Sequence, residues 1–435
     1  VEGGAQELRR LFDRRAGHYR PGCLHHANKF RHRRRPDAAT TRAPYTGGVP
    51  KHPDKHSDHD TLVHNCRVLK GIDEAVSIRA EWDRLWVDAR AGYLLSFSYF
   101  YESWNTIHGP QGAELCCVVS FENGRLLAVL PMVLLRDKLK VAKYAVICSP
   151  EAAEGCDILI EHAPQSPAVA TALLKKFLVS ARPDVVSFFF LKSGCQLELA
   201  IQNIASLRIV RAYDDVMPYA DLKTELDWAS YKRSLSKHYE SNVARKTRRL
   251  HEQGKVTMDI VGAVPTAEIE WLFLQKRKWS ERTNKRGHWV FSLRYQEFVT
   301  KLFSSDPRFL VFVLKLDDAP IAVKLAAISS SFASTMMISY DDEYEHFSPG
   351  NILDEFMMRH IFENYRDGEG RHLDVDFGPG REHFKLHWSR GNVHPTKSFV
   401  MAASRSGWAK LRFDQVGARI QRLASSFIQA IRSRE

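Results

Sequence analysis

Short apolar runs dominate this sequence, and they occur twice in the same order. The stretch "AELCCVVSFENGRLLAVLPMVLL" (113–135) is two such runs joined by Asn123-Gly124. Both turn positions accept positive φ, so the stretch predicts a tight β-hairpin. Ahead of it, "TLVHNCRVL" (61–69) reads as a strand and "DEAVSIRAEWDRLWVDAR" (73–90) as one helix with Val76, Trp82, Leu85, Trp86 and Ala89 on one face. A helix over 166–181 and a strand over 185–191 follow. The second block repeats this order. It has a basic helix over 231–254, helices near 265–283 and 292–304, and three apolar runs over 308–340 broken at Asp317-Asp318 and at the serines 329–331. A helix over 350–364 and strands in "RHLDVDFG" and "TKSFVMAA" complete it. The two blocks share element order but no sequence identity, so the repeat is architectural and each block reads as an α+β unit.

The ends differ from this pattern. Residues 1–60 are rich in Arg, His, Pro and Gly, lack periodicity and are expected to be disordered. Their His52, His56 and His59 lack a second ligand cluster, so no metal site is expected. The first twenty residues carry Arg pairs and no apolar core, so no secretory signal is expected. No apolar run reaches the roughly 18–20 residues that span a bilayer. Seven scattered cysteines without a C-x-x-C pair fit reduced thiols and a cytoplasmic protein. Residues 408–432 have apolar side chains at helical spacing, which suits a terminal helix docked on its own domain better than one lying on a membrane.

Charge is localised. Residues 1–60 hold thirteen Lys or Arg against seven Asp or Glu, and residues 231–255 hold eight against two, so these segments carry all of the formal net charge of +12. The 231–255 stretch is either a solvated face or a contact for RNA, a coenzyme phosphate or another anionic surface. It lacks interleaved aromatics, which weakens the nucleic-acid reading.

Two motifs carry chemistry. In "FSPGNIL", Ser348 is placed as an N-cap and Pro349 suits the first helical position. Gly350 in the first turn costs about 1 kcal/mol against alanine. Close approach of a ligand would explain it, because free N–H groups at a helix start favour an anion. Ser348, Pro349, Gly350 and Asn351 are therefore the candidate anion-binding residues. In "DVDFGPGREHFKLHW" (374–388), Asp374 and Asp376 alternate along a strand, two glycines flank Pro379, and Glu382, His383 and Lys385 follow at once. Acids, an imidazole and an ammonium at a strand's C-terminal end suit a cleft.

These two motifs resemble the cellulose-biosynthesis-associated acetyltransferases (CelD type) of the GNAT N-acyltransferase superfamily. The matching positions are Ser348, Pro349, Gly350, Leu353, Asp376, Phe377, Gly380, Glu382, Lys385 and Trp388. Phe384 stands where the family usually has tyrosine, and Gly350 is all that stands in for the usual glycine-rich pyrophosphate loop. The resemblance covers about 225–400. It implies α+β architecture with two tandem GNAT-like domains, each a mixed, mostly antiparallel sheet flanked by helices. The divisions would be a basic tail at 1–60, a degenerate GNAT-like domain at 61–222, an acyltransferase domain at 223–404 and a terminal helix at 405–435. It also implies acetyl-CoA or another acyl-CoA as co-substrate, an amine-bearing acceptor, no metal, and a link to exopolysaccharide or cellulose biosynthesis. The alternatives are a FemAB-like aminoacyl-tRNA-dependent transferase and a non-catalytic scaffold.

Acyl transfer to an amine needs a base, oxyanion donors and an acid for the leaving thiolate. Glu382 or Asp376 is the base, with His383 the other candidate. Backbone N–H groups at the end of strand 332–340 meet the oxyanion. Tyr340 or Tyr344 protonates the thiolate. Lys385 either binds an acceptor carboxylate or pairs with Glu382.

Overall fold

The structure is a computed structural model that describes residues 66–137, 142–150, 157–262, 264–284 and 287–415. The expectations for 1–60, including His52, His56 and His59, and for the chain beyond 415 lie outside these residues.

The first half opens with β1 (Cys66–Leu69). The single helix expected over 73–90 is two, α1 (Ile72–Val76) and α2 (Arg79–Asp88), because Ile78 leaves helical geometry at ψ 13°. After α3 (Phe97–Glu102) come β2 (Glu114–Glu122) and β3 (Arg125–Arg136). Their turn has φ of 50° at Asn123 and 79° at Gly124, the two-residue hairpin geometry expected. Then follow β4 (Lys143–Ile147), β5 (Leu159–Ile160), α4 (Ser166–Ala181), β6 (Val185–Lys192), α5 (Gln196–Gln202) and β7 (Arg208–Ala220).

The second half begins with α6 (Trp228–Ser234) and α7 (Lys237–His251). These replace the one basic helix expected over 231–254. Leu235, extended at ψ 168° and buried in the core, breaks it. β8 (Val256–Val261), α8 (Thr266–Arg282) and α9 (Leu293–Ser305) lead to a meander of β9 (Phe309–Leu316), β10 (Ala319–Ile328) and β11 (Phe332–Tyr340). Asp317 and Asp318 both take positive φ at its first turn. α10 (Pro349–Asn364), β12 (Asp374–Asp376), α11 (His383–Trp388) and β13 (Val393–Ala402) close the sequence, and residues 405–415 add a helix that docks through the buried Leu411.

All strands join one sheet in the order β1-β2-β3-β4-β6-β13-β7-β12-β11-β10-β9-β8, with β5 paired to β3. The halves are interlocked: β13, last in sequence, lies between β6 and β7, and β7 pairs with β12. Most pairs are antiparallel; β4–β6 and β11–β12 are parallel. The architecture is therefore α+β, a mixed and mostly antiparallel sheet with helices on both faces.

Period-two alternation sorts the meander's side chains between two cores. Phe312, Leu314, Ala322 and Ala326 meet Met357 and Ile361 of α10 and Tyr239 and Val243 of α7. Val311, Val313, Val323 and Leu325 meet Leu272 and Phe273 of α8 and Phe298 and Leu302 of α9. So α7 and α10 cover one face, and α8 and α9 the other. An ion pair between Lys324 of β10 and Asp354 of α10, both almost fully buried, pins α10 to its face. Among the described residues no helix is long and apolar enough to cross a membrane.

Candidate active site

β11 and β12 part company early. They pair at Phe332↔Asp374, Ala333↔Val375 and Ser334↔Asp376; β12 then ends while β11 runs on to Tyr340. Past Asp376 the chain turns away through Gly378 (φ 69°) and Gly380 (φ 115°). A side chain is strained at those angles, so the two glycines serve the turn. The parting leaves a cleft of about 910 Å³, walled by β11, α8 and the turn on one side and by residues 89–99 and 157–162 of the first half on the other.

The turn delivers most of the expected residues to this cleft. Tyr340, Asp376, Glu382 and Lys385 all line it. Asp376 is nearly buried and already engaged: Lys192 of β6 is 3.0 Å from one carboxylate oxygen and the N–H of Gly378 is 2.8 Å from the other. That ion pair ties β12 to the first half. Asp374 is likewise held by Lys223 and by the N–H of Leu222, both at 3.0 Å. Lys385 donates to the carbonyl of Pro379 at 2.7 Å and pairs with the exposed Glu382 at 3.0 Å. Burial pushes the Tyr340 phenol above its ordinary pKa, and Glu345 adds to the shift. His383 stands apart: it is not on the cleft wall, and its ring lies 5.9 Å from that of Tyr239 on α7. Tyr344 packs against the core under α10.

The helix start differs from the expectation in its detail. Ser348 is left-handed (φ 53°, ψ 55°) and its side chain makes no cap bond. Its hydroxyl instead accepts a hydrogen bond from Lys246 of α7, while its carbonyl accepts from the N–H groups of Asn351 (3.0 Å) and Ile352 (3.3 Å). Pro349 is the first helical residue, as its fixed φ and missing N–H favour. A Cβ on Gly350 would lie 3.3 Å from Ile338 Cδ1 and 3.6 Å from Tyr340 Cδ1. The glycine thus lets α10 begin tight against the end of β11, a packing reason that the sequence did not disclose. The lysine is equally informative. Lys246 makes no ion pair with any described residue, so a basic helix brings an ammonium without a counter-ion to a helix N-terminus.

Two further cleft residues were invisible to motif reading. Lys192 lies in the first half, far from either motif. Lys276 of α8 donates to the carbonyl of Ile338 at 3.0 Å and sits 4.9 Å from the ring centre of Trp279. Burial pushes its pKa down to about 8. The signal was its place on the wheel: Ile269, Leu272, Phe273, Lys276 and Ser280 recur at three- and four-residue steps, which puts a lysine on the buried stripe.

Residues 237–386 match the family description "Acetyltransferase (GNAT) domain". The chain therefore carries a GNAT-type acyltransferase domain. Its fold is similar to that of FemX, with a TM-score of 0.51 and 9% identity over 74% of this chain and 95% of that one. It also matches the tandem GNAT protein of the clavulanic acid biosynthesis pathway (TM-score 0.44, 11% identity, 78% of this chain and 99% of that one). A GCN5-related N-acetyltransferase from Sphaerobacter thermophilus matches as well (TM-score 0.34, 12% identity, 78% and 95%). No curated protein matches the sequence.

The GNAT domain begins at the first residue of α7 and ends inside α11. It contains Lys246, Lys276, the Ser348–Asn351 helix start and the Asp376–Lys385 turn, but not Lys192 or β13. The cleft is therefore completed by side chains from outside the matched domain. Among the described residues no group of three or more His, Cys, Asp or Glu is placed to hold a metal ion.

Proposed function

We propose that the chain transfers an acyl group, acetyl in the first instance, from an acyl-CoA to an amine. One observation carries the reading: the edge of β11 that β12 leaves open ends beside a helix start with a glycine, where α7 brings a lysine without a counter-ion. Coenzyme phosphates would bind there, on the N–H of Gly350 with Lys246 beside it. The acyl thioester would then lie along β11 toward Ser334, with backbone N–H groups of the strand facing its oxygen. The acceptor amine attacks the thioester carbon and loses a proton to Glu382, directly or through water. The C–S bond breaks, and the leaving thiolate takes the proton of Tyr340, whose raised pKa keeps it protonated at neutral pH. Asp376, committed to Lys192, holds the cleft wall instead of acting as base.

In this reading 223–404 is the catalytic unit and 61–222 its degenerate GNAT-like partner in a tandem arrangement, with the last strand exchanged between them. A CelD-type role in exopolysaccharide or cellulose biosynthesis, and a cytoplasmic location, follow from the resemblance of the two motifs. A second reading is favoured by Arg245, Arg248 and Arg249, which are exposed on α7 next to the same helix start: an aminoacyl-tRNA donor held by that basic face.

Thermal unfolding with acetyl-CoA separates the two. A ligand at about 100 times its dissociation constant adds roughly 2.7 kcal/mol, so the first reading predicts a clear rise in Tm. No shift at millimolar acetyl-CoA, together with salt-sensitive tRNA binding lost on neutralising Arg245, Lys246, Arg248 and Arg249, would replace it with the second.

A further inference from the structure

The cleft holds one cation that no described residue neutralises. Its other charged lining residues are matched: Arg90 with Glu369, Asp342 with Arg282, Lys192 with Asp376 and Lys385 with Glu382. Asp157 accepts from the backbone N–H groups of Ile158, Gln196 and Leu197. Lys276 has no carboxylate partner among the described residues. Its ammonium donates to the carbonyl of Ile338, and its remaining hydrogens are available to the cleft.

Its place in the fold says which substrate it would meet. Lys246 and the α10 start cover one face of the sheet, and α8 covers the opposite face. Lys246, at the α10 start, and Lys276, on the Ile338 carbonyl of β11, therefore belong to opposite faces of the sheet and would serve different anions. The donor phosphates belong to the helix start. Lys276 shares its side with Trp279, Trp289 and Tyr295, an apolar wall suited to the body of a second substrate. Its neighbour Arg277 is turned away to the Val290 carbonyl (3.1 Å) and Gln296 (2.6 Å). One ammonium, without an arginine fork, matches a singly charged group better than a phosphate dianion.

We propose that Lys276 binds a carboxylate of the acceptor, so that the acceptor class is an amine carrying a carboxylate, an amino acid in the simplest case. The proposal rests on the acyltransferase reading of this cleft and moves the carboxylate-binding role from Lys385, which is occupied by Glu382, to Lys276. A partly desolvated ammonium discriminates strongly between an acceptor with a carboxylate and the same amine without one, because only the first replaces its lost hydration.

The test uses the full chain, the proteinogenic amino acids and the amines left by removing their carboxylates. Binding is read by thermal shift and turnover by thiol release from acetyl-CoA. At least one amino acid should raise Tm and support turnover while its decarboxylated amine does neither. Lys276→Met should weaken that amino acid on the order of 10- to 100-fold, with the acetyl-CoA shift intact. Lys276→Arg should retain the preference and shows that the position tolerates change. The proposal is overturned if no amino acid binds, if amine and amino acid bind alike, or if Lys276→Met keeps the preference. An amino-acid shift that depends on Lys276, in a protein that acetyl-CoA does not stabilise, would instead strike the donor reading.

Discussion

The sheet has two parallel junctions, β4 with β6 and β11 with β12, and they are finished in opposite ways. At each, a strand of the meander leads through a helix to its parallel neighbour, and both helix starts carry Ser-Pro: Ser166 is the first residue of α4, and Ser348 is the residue just before α10. In the first half nearby side chains satisfy the helix start and the strand end. Ser166 is buried, its hydroxyl donating to the Glu161 carbonyl (2.6 Å) and accepting from the Ala163 N–H (2.8 Å). Just past β4, His108 Nε2 donates to the Ser149 carbonyl at 2.9 Å, and the Tyr99 hydroxyl lies 3.4 Å from that of Ser149. In the second half the serine is turned outward to a lysine, the helix start abuts the strand through a glycine, and the parted strands face a cleft. The same topology thus leaves a cleft where a strand edge is open and a cation is brought near it. Where side chains satisfy that backbone, it serves stability.

The largest test of this contrast is at the two helix starts. Gly350→Val should reduce acetyl-CoA affinity by at least about 100-fold, seen as loss of the thermal shift, whereas Ala168→Gly should change nothing. Gly350→Ala, with only a Cβ to accommodate, checks that the helix still docks. A full shift in the valine variant would mean that no donor approaches that start.

The sealed junction should show itself in acid. Complete burial holds His108 at a pKa of about 4, below its ordinary 6.5. Between these values the unfolded chain takes up a proton that the folded chain refuses, so stability falls as pH drops from 6.5 to 4, by about 3 kcal/mol. Denaturant titrations of His108→Gln across this range should show a flatter acid limb; an unchanged limb would mean that His108 is not sealed.

The open junction predicts the reverse signature. Lys276, with its pKa lowered to about 8, destabilises the fold when charged. The unfolded chain holds more protons between pH 8 and the ordinary lysine pKa of roughly 10.4, so wild-type stability rises with pH through that window. Lys276→Met should accordingly be more stable than wild type by about 3 kcal/mol at pH 7, with the advantage fading toward pH 10. Calorimetry at several pH values decides it, and a variant less stable at pH 7 would refute the unpartnered state.

The smallest effect is expected at the tie between the halves. Lys192→Met leaves the Asp376 carboxylate without its counter-ion. Because the lysine is partly exposed, the loss should be about 1 kcal/mol in urea unfolding, largely recovered by adding Asp376→Asn. Strictly additive losses would show that the pair does not couple the halves.

Much of this molecule was legible in its sequence. Asn123-Gly124 and Asp317-Asp318 marked turns because few residues accept positive φ, and α4 began and ended where its apolar periodicity did. Two helices were read as too long, since the breaks at Ile78 and Leu235 come from backbone geometry and burial and not from Gly or Pro. Four of the five candidate catalytic residues reach one cleft because they are local to one strand end and one turn; His383, equally local, is rotated onto Tyr239 by the short helix it begins.

What the sequence determined by itself was local: strand and helix content, the turns, and the two motifs, all of which follow from steric preferences and periodicity over a few residues. Tertiary structure alone decided the rest. Insertion of β13 between β6 and β7, the meeting of Lys192 with Asp376 and of Lys246 with Ser348, and the isolation of Lys276 join residues up to about two hundred positions apart. Such contacts are set by which faces the sheet buries and which charges find partners there, and no local pattern encodes them.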